Sequence, residues 1–465
     1  MAKFGVEEIL KITKGKLIQG DRNTVFEGVS TDSRTIKEGE IFVALKGNNF
    51  DGHNFIKEAL EKKAKGTMVE KKFSIESNPK FCIIHVEDTL NSLRELASYH
   101  RKKFNIPIIA VTGSNGKTTV KEMISKILSA HFSVLKTPYN YNNQIGLAHT
   151  LLEMDTNHEI AVFELGINHY GEMEILSDMV KPKMAIFTNI GKTHLEFLES
   201  PLGVLKEKMD LIKDFNEENI VIFNIDDPLL RERFVNSRDI FSLISFGVEN
   251  EADFKGEKLS FSEEGISFRV KDVDFYLPLI GKHNVYNALC SIAVGSIFDI
   301  PLEKMALSLK EFCPPSMRMN LRKVKGEKEF ILIDDTYNAN PNSVISAIES
   351  LSLFKNSGKK ILVLGDMLEL GKESYNCHRE IGLSLKDKDI DIILTFGKHS
   401  AVINEMVKNF KNINTALHFD SYSTIIDFLK ENIENNDVIL IKGSRGMHME
   451  EIVKGISEIE KVSVI

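Results

Sequence analysis

The stretch "IPIIAVTGSNGKTTVKEM" (106–123) constrains this chain more than any other. A short apolar run ends at Gly113, a tight loop closes at Gly116, and Lys117 opens a helical pattern, "KTTVKEMISKILSAHF". Strand, glycine loop and helix in that order predict a parallel-type sheet whose strand ends feed helices. The same order serves an anion, because backbone N–H groups and the positive end of a helix dipole converge on one point. Gly113 and Gly116 allow close backbone approach, with Ser114 and Asn115 between them and Thr119 just beyond. Lys117 is placed to reach the β- and γ-phosphates of a nucleoside triphosphate, and the Thr118 hydroxyl to bind Mg²⁺. The competing reading is a glycine turn beside a surface lysine. The loop is also two residues shorter than the usual G-x-x-x-x-G-K-[ST].

Further apolar runs repeat the pattern: "EIAVFELG" (159–166), "KMAIFTNIG" (183–191) and "NIVIFNID" (219–226), then "FILIDDT" (330–336), "KILVLGDM" (360–367), "DIILTFG" (391–397) and "DVILIKGS" (437–444). Helical stretches lie between them, so the expected class is α/β. Three textures divide the chain. Residues 1–104 form a small mixed α/β N-terminal unit. Residues 105–314 form a central P-loop-type parallel-sheet ATPase unit. Residues 315–465 form a Rossmann-like doubly wound C-terminal unit. In the first, "GEIFVALKG" (39–47) predicts a strand, "NFIKEALEKKAKG" (54–66) a helix closed by Gly66, and "TLNSLRELASYHRKKF" (89–104) a helix capped by Thr89. Two prolines in "PPSMRMN" (314–320) are expected to stop the preceding helix and begin a linker. Hinges are expected near 104–107 and 313–318.

In open α/β sheets ligands sit beyond the carboxyl ends of the strands. Glu164 ends one apolar run, where a carboxylate suits hard Mg²⁺; a capping or salt-bridged Glu is the alternative. His194 follows another run, and a lone histidine there is more often a packing or surface residue than a ligand. Lys206, Glu207 and Lys208 in "PLGVLKEKMDLIKDF" (201–215) read by spacing as a solvated charged face. Asn284 and Asn287 lie one turn apart, fit to read a base edge or to cap a helix.

Bulk properties exclude several classes. At about 100–200 residues per domain, 465 residues suggest three domains. No apolar segment reaches the ~18 residues that span a bilayer, and the N-terminus lacks signal-peptide character, so membrane insertion is not expected. Cys82, Cys290, Cys313 and Cys377 are scattered, which fits a reducing cytoplasm. A net charge of −8 leaves no footprint for nucleic acid.

Together "TGSNGKTT", "FELG", "TNIG…H" and "GKHNVYNAL" resemble the Mur ligase family, the ATP-dependent amide-forming enzymes of peptidoglycan precursor synthesis. The resemblance covers essentially the whole chain, and the family's shortened loop accounts for the missing residues. "STDSRTIKEGEIFVALKGNNFDGHNFI" (30–56) resembles the family's uridine-nucleotide domain. "NNQIGLAHTLL" (142–152), "DDTYNANPNSVISAI" (334–348), "GDMLELG" (365–371) and "KGSRGMHMEEIV" (442–453) are similar to the branch that adds D-alanyl-D-alanine. The Asp-Asn-Pro-Arg signature of the diaminopimelate-adding branch is absent. Tyr337 stands where several relatives place a lysine near the phosphate.

The resemblance implies joining of D-alanyl-D-alanine to UDP-N-acetylmuramoyl-tripeptide through an acyl phosphate, by a cytoplasmic monomer using ATP and Mg²⁺. It implies phosphate contact by Lys117, a first Mg²⁺ on Thr118 and Glu164, and a second on His194. Lys208 aligns with a carbamylated lysine supporting that second metal, with Lys206 as the fallback. Asn284 and Asn287 would face adenine, and Arg318 and Asp335 would reach the nucleotide from the third domain. Thr31, Ser33, Asn48, Asn49 and Phe50 match segments around the uridine diphosphate. Asn142, Asn143, Asn338, Ser444 and Arg445 complete the implied substrate set. The alternatives are the third-residue-adding ligase, a folylpolyglutamate synthase relative, which would lack the first ~100 residues, and a non-catalytic nucleotide-switched protein.

Overall fold

The computed structural model describes residues 2–47, 50–71, 78–355, 358–457 and 462–464. Its architecture is α/β in three domains, and a large sheet dominates each. The glycine loop sits at the centre of the middle one, a seven-stranded parallel sheet. Its strand Ile108–Thr112 lies between Ile160–Glu164 and Met184–Phe187, and every residue of the three is buried. Burial on both faces explains why these segments read as continuous apolar runs. Alternate side chains go to opposite faces. Ile109, Val111 and Val162 pack with the helices Lys117–Leu128 and His283–Ile297. Ile108, Ala110 and Phe163 pack on the other side with Leu93, Leu96, Leu147 and Leu176.

That second cluster continues into the first domain through Phe4, Ile9, Phe26 and Ile41. The expected hinge at 104–107 is moreover clamped. The Arg101 guanidinium donates to the carbonyls of Val180 (3.0 Å), Phe104 (2.6 Å) and Ile106 (3.3 Å). The other expected hinge differs: Met317 and Met319 both hold left-handed backbone, at φ 63° and 51°. Non-glycine residues there are strained by about 1–3 kcal/mol unless their surroundings hold them.

The first domain carries a five-stranded mixed sheet ordered Lys16–Gln19, Cys82–His85, Gly66–Val69, Ile41–Val43, Val29–Ser30. Two expectations fail here. The helix Ile56–Glu61 ends earlier than its charged pattern suggests, with Lys63 left-handed, and Gly66 opens a strand rather than capping it. The later helix is capped by Asp88, whose side chain accepts from the Asn91 N–H, while Thr89 is its first helical residue. A carboxylate beside the helix N-terminus gains from the dipole as a hydroxyl does not.

The third domain's seven-stranded sheet is parallel through Thr415–Phe419, Ile392–Phe396, Lys360–Gly365, Val438–Lys442 and Phe330–Asp335. Asn320–Val324 then adds antiparallel to Phe330–Asp335, so the doubly wound sheet has an antiparallel edge. The helix before the linker ends at Lys310, ahead of Pro314, so the prolines do not stop it. An antiparallel meander, Glu257–Phe261, Ile266–Val270 and Val273–Leu277, is a further element that the alternation of apolar runs did not predict. No helix among the described residues is long and apolar enough to cross a membrane.

Candidate active site

The loop after Ile108–Thr112 is built as its glycines suggest. Gly113 has φ 145° and Gly116 φ 83°, both unfavourable for a side chain. A Cβ on Gly113 would stand 1.9 Å from Thr188 Oγ1, and one on Gly116 2.4 Å from Asn287 Oδ1. Neighbouring strand ends hold the loop. The Ser114 N–H donates to the Asn189 carbonyl (2.8 Å) and the Asn115 N–H to Asn189 Oδ1 (3.0 Å). Thr188 Oγ1 donates to the Asn115 carbonyl (2.6 Å). Lys117 opens the helix and folds back to donate to the Gly113 (2.9 Å) and Ser114 (3.3 Å) carbonyls. Burial lowers its pKa, opposed by the Glu164 carboxylate.

Glu164 is buried at the strand end. Asn142 donates to its Oε1 at 2.8 Å, while its Oε2 has no partner. The buried Thr118 Oγ1 is likewise unpartnered. Unsatisfied buried acceptors are costly, by about 1–3 kcal/mol each. These two bracket the loop where a hard cation is expected, so the residues fit Mg²⁺. No cluster of three or more His, Cys, Asp or Glu side chains suited to a metal occurs among the described residues.

The segment presenting Asn142 depends on a residue the sequence reading passed over. Lys121, fully buried one turn beyond Lys117, donates to the carbonyls of Thr137 (2.7 Å) and Tyr139 (3.0 Å). Thr137 Oγ1 in turn accepts the Glu164 N–H at 3.1 Å. A lysine on the apolar face of the loop helix was the available signal. Asn143 is committed to capping the helix Gln144–Leu152.

The reading of Lys206–Lys208 as a solvated face holds only for Lys206. Glu207 and Lys208 are buried. Glu207 accepts from the Gly171 (2.9 Å) and Met173 (2.8 Å) N–H groups at the start of the helix Glu172–Val180. A carboxylate there is favoured by the dipole. Lys208 Nζ has one long contact, 3.5 Å to Thr112 Oγ1. Burial, and then the charge of Lys117, push its pKa well below the ordinary lysine value. His194 turns the chain into the short helix Leu195–Leu198, and its Nδ1 lies 2.5 Å from Glu369 Oε2.

Asn284 and Asn287 are buried and bond to one another: Asn287 Nδ2 donates to Asn284 Oδ1 at 3.0 Å, and Asn284 Nδ2 to the Ile280 carbonyl at 2.9 Å. Beside them, burial depresses the pKa of His283 to about 4. From the third domain, the Arg318 guanidinium stacks over the Tyr337 ring, 3.9 Å from its centroid. Stacking on an aromatic face is what Arg does well and Lys poorly. Asp335 accepts from Lys442 Nζ at 2.6 Å. Asn338 Oδ1 accepts the Arg445 N–H at 3.3 Å, and Ser444 Oγ accepts the Leu368 N–H at 2.8 Å.

One cavity of about 690 Å³ between the central and third domains unites these groups. Its lining includes the loop from Ser114 to Thr119, with Asn142, Asn143, Glu164, His194, Asn284, Asn287, Arg318, Asp335, Asn338, Ser444 and Arg445. Gly113, Lys208 and the first-domain residues do not line it. Ser33 donates to Glu58 Oε2 at 2.9 Å, and Thr31 bonds His149 Nε2 of the central domain at 2.8 Å. Phe50 is half-exposed and stacks on Phe55, with ring centroids 5.1 Å apart. Asn48 and Asn49 lie outside the described residues.

Models of three families match in sequence order: the Mur ligase family catalytic domain over residues 25–111, the Mur ligase middle domain over 111–295, and the Mur ligase glutamate ligase domain over 317–445. The UDP-N-acetylmuramoyl-tripeptide–D-alanyl-D-alanine ligase of Bacillus subtilis is 37% identical over 463 residues, 98% of this chain and 99% of that protein. A crystal structure of MurF from Acinetobacter baumannii superposes with a TM-score of 0.88 at 29% identity, covering 98% of this chain and 99% of the other. MurF ligase from Thermotoga maritima in complex with ADP gives 0.81 at 29% identity, over 93% and 97%. With the glycine loop, the buried carboxylate and the interdomain cavity in one place, the chain belongs to the Mur ligase family.

Proposed function

We propose that this chain is the ATP-dependent ligase that joins D-alanyl-D-alanine to UDP-N-acetylmuramoyl-tripeptide, forming the pentapeptide precursor of peptidoglycan. The observation that carries this reading is the end-to-end match to a relative bearing that activity in its name. The domains divide the work: residues 1–104 take the uridine nucleotide, 105–314 take ATP, and 315–465 take the dipeptide.

A carboxylate is a poor electrophile, so it must be activated before an amine can attack. The tripeptide's terminal carboxylate oxygen bonds to the γ-phosphorus as the bond to ADP breaks, giving an acyl phosphate. The dipeptide amine then attacks the carbonyl carbon, loses a proton, and inorganic phosphate leaves. Lys117 offsets the repulsion between the two anions that must meet and follows charge onto the transferring phosphoryl group. Thr118 and Glu164 would hold Mg²⁺, whose chemistry is to neutralise phosphate charge and polarise the γ-phosphoryl. His194 and a carbamate on Lys208 would hold a second ion. Burial and the neighbouring Lys117 favour the neutral amine at Lys208, the form that adds CO₂. Asn284 and Asn287 face the adenine end. Arg318 and Asp335 meet the nucleotide from the third domain, which closes over the site and keeps water from the acyl phosphate. Thr31, Ser33 and Phe50 serve the uridine diphosphate, and Asn142, Asn338, Ser444 and Arg445 the peptide substrates. We place the enzyme in the cytoplasm as a monomer.

Phosphate release from ATP tests the reading. With UDP-N-acetylmuramoyl-tripeptide present, release should require D-alanyl-D-alanine and not occur with diaminopimelate, lysine or glutamate. Release independent of the dipeptide would reject it. Glu164→Ala should abolish release, and normal turnover by that variant would remove Glu164 from the metal site.

A further inference from the structure

We infer that Glu369, carried by the third domain, is a positioning residue for His194: it fixes the imidazole so that its second nitrogen faces a metal ion only when that domain is docked. This rests on the proposed reading of His194 as a metal ligand. His194 Nδ1 and Glu369 Oε2 stand 2.5 Å apart, across 175 residues of sequence and a domain boundary. The backbone on both sides is pinned. The Glu369 carbonyl accepts the Glu196 N–H at 3.0 Å, and the His194 carbonyl accepts from Phe197 (3.0 Å) and Leu198 (2.9 Å). Both residues sit in left-handed backbone, His194 at φ 53° and Glu369 at φ 60°. Two strained non-glycine residues meeting side chain to side chain indicate a contact for which local backbone preference has been sacrificed.

The chemistry follows from the ring. With Nδ1–H donated to the carboxylate, the lone pair resides on Nε2. A histidine that ligates a metal generally donates its other ring N–H to a carboxylate or carbonyl, which fixes its tautomer and angle and raises its basicity. Here that carboxylate comes from a different domain. The pair is therefore assembled with the rest of the docked contact. Asn115 and Asn340 exchange side-chain bonds at 2.6 and 3.3 Å, Asn342 Oδ1 accepts the Lys192 N–H at 3.1 Å, and Lys192 Nζ meets Glu380 Oε2 at 2.6 Å. Metal competence at His194 is thus coupled to closure, so the site is complete only once all three substrates can be enclosed.

The test is Mn²⁺ binding without turnover, followed by electron paramagnetic resonance on the full-length enzyme with β,γ-methylene-ATP. The weaker of two ions should lose on the order of tenfold or more in affinity in Glu369→Ala, as outer carboxylates typically control. Glu369→Gln keeps an acceptor for the Nδ1 proton and should recover most of that loss. Glu380→Gln removes one ion pair of the docked contact while the Asn115–Asn340 and Asn342–Lys192 bonds hold the domain in place, and should leave the affinity within about threefold. In the double variant with His194→Ala, loss of Glu369 should add nothing, as two groups acting in series require. If His194→Ala weakens the second ion and Glu369→Ala does not, the positioning role is overturned and the metal reading survives. If Glu380→Gln weakens it as much as Glu369→Ala does, docking alone is responsible and the role is likewise overturned. If His194→Ala leaves both ions unchanged, the metal reading falls and the positioning role falls with it.

Discussion

Lys208 offers a test in which stability and activity should move in opposite directions. The residue is 2% exposed, and among the described residues its amine has a single long contact, 3.5 Å to Thr112 Oγ1. The nearby, partly buried Lys117 opposes its charge. Replacing a poorly paired buried charge with an apolar residue of similar shape is often stabilising by about 1–4 kcal/mol. Lys208→Met should therefore gain about 2 kcal/mol in CO₂-free, metal-free buffer at pH 7, which for a domain of this size is a rise of roughly 4–8 °C in melting temperature. The sign with pH follows from the depressed pKa. The unfolded lysine holds its proton up to its ordinary value near 10.4, whereas the folded one releases it earlier. The parent's penalty is therefore full below the folded value and fades as pH rises toward the unfolded one. The gap between variant and parent should narrow between pH 7 and pH 10. Differential scanning calorimetry at both pH values measures it, with phosphate release measured in parallel. Turnover should fall below about 1% if a carbamate at Lys208 supports the transferring phosphoryl group. A variant less stable than its parent at pH 7 would refute the burial argument, and one retaining a tenth of the activity would refute the carbamate.

Three further changes have definite outcomes. Gly113→Ala places a Cβ 1.9 Å from Thr188 Oγ1 at φ 145°, and should weaken ADP binding on the order of a hundredfold by titration calorimetry; an unchanged Kd would show the loop to be malleable. Lys121→Met leaves the buried Thr137 carbonyl without its donor and breaks the ion pair to Glu122, and should lower stability by about 3 kcal/mol while raising the Mg²⁺ concentration needed for half-maximal activity; a stability change with no metal effect would detach Lys121 from Glu164. His283, held neutral by burial to about pH 4, binds a proton earlier when unfolded. Stability should therefore fall by about 3 kcal/mol as pH drops from 6.5 to 4, and His283→Leu should flatten that slope in acid denaturation curves.

How much of this was legible in the sequence depends on the range of the forces involved. The central strands were readable because burial on both faces forces consecutive apolar residues, as at Ile160–Glu164. The glycine loop was readable because its determinants are local: two left-handed glycines and the helix start fall within seven consecutive positions, 113–119. The meander at 257–277 was also readable in principle, since Ile266, Phe268 and Val270 are buried while Ser267 and Arg269 face outward. Its two-residue period is shorter than the apolar runs being sought. Cap identities failed by one residue, as at Asp88 and Thr89, because neighbouring polar residues compete for the same N–H groups.

The groups that were not legible share a different property: their meaning depends on a partner far away in sequence. Nothing within the segment 201–215 distinguishes Lys206 from Lys208, because the difference is which of them turns beneath Thr112 and beside Lys117. Nothing in "GDMLELG" distinguishes Glu369 from the chain's other carboxylates until the third domain sets it against His194. The same holds for Lys121, whose carbonyl partners lie 16 and 18 residues on. Two of them tie separate parts of the site together: Lys121 reaches Glu164 through Thr137, and Glu369 reaches His194 from the third domain. In the reaction proposed above an acyl phosphate must meet an amine and not water, and such contacts would serve that exclusion. Short motifs pick out the glycine loop and its neighbours, whereas a contact such as His194–Glu369 is visible only in the folded chain.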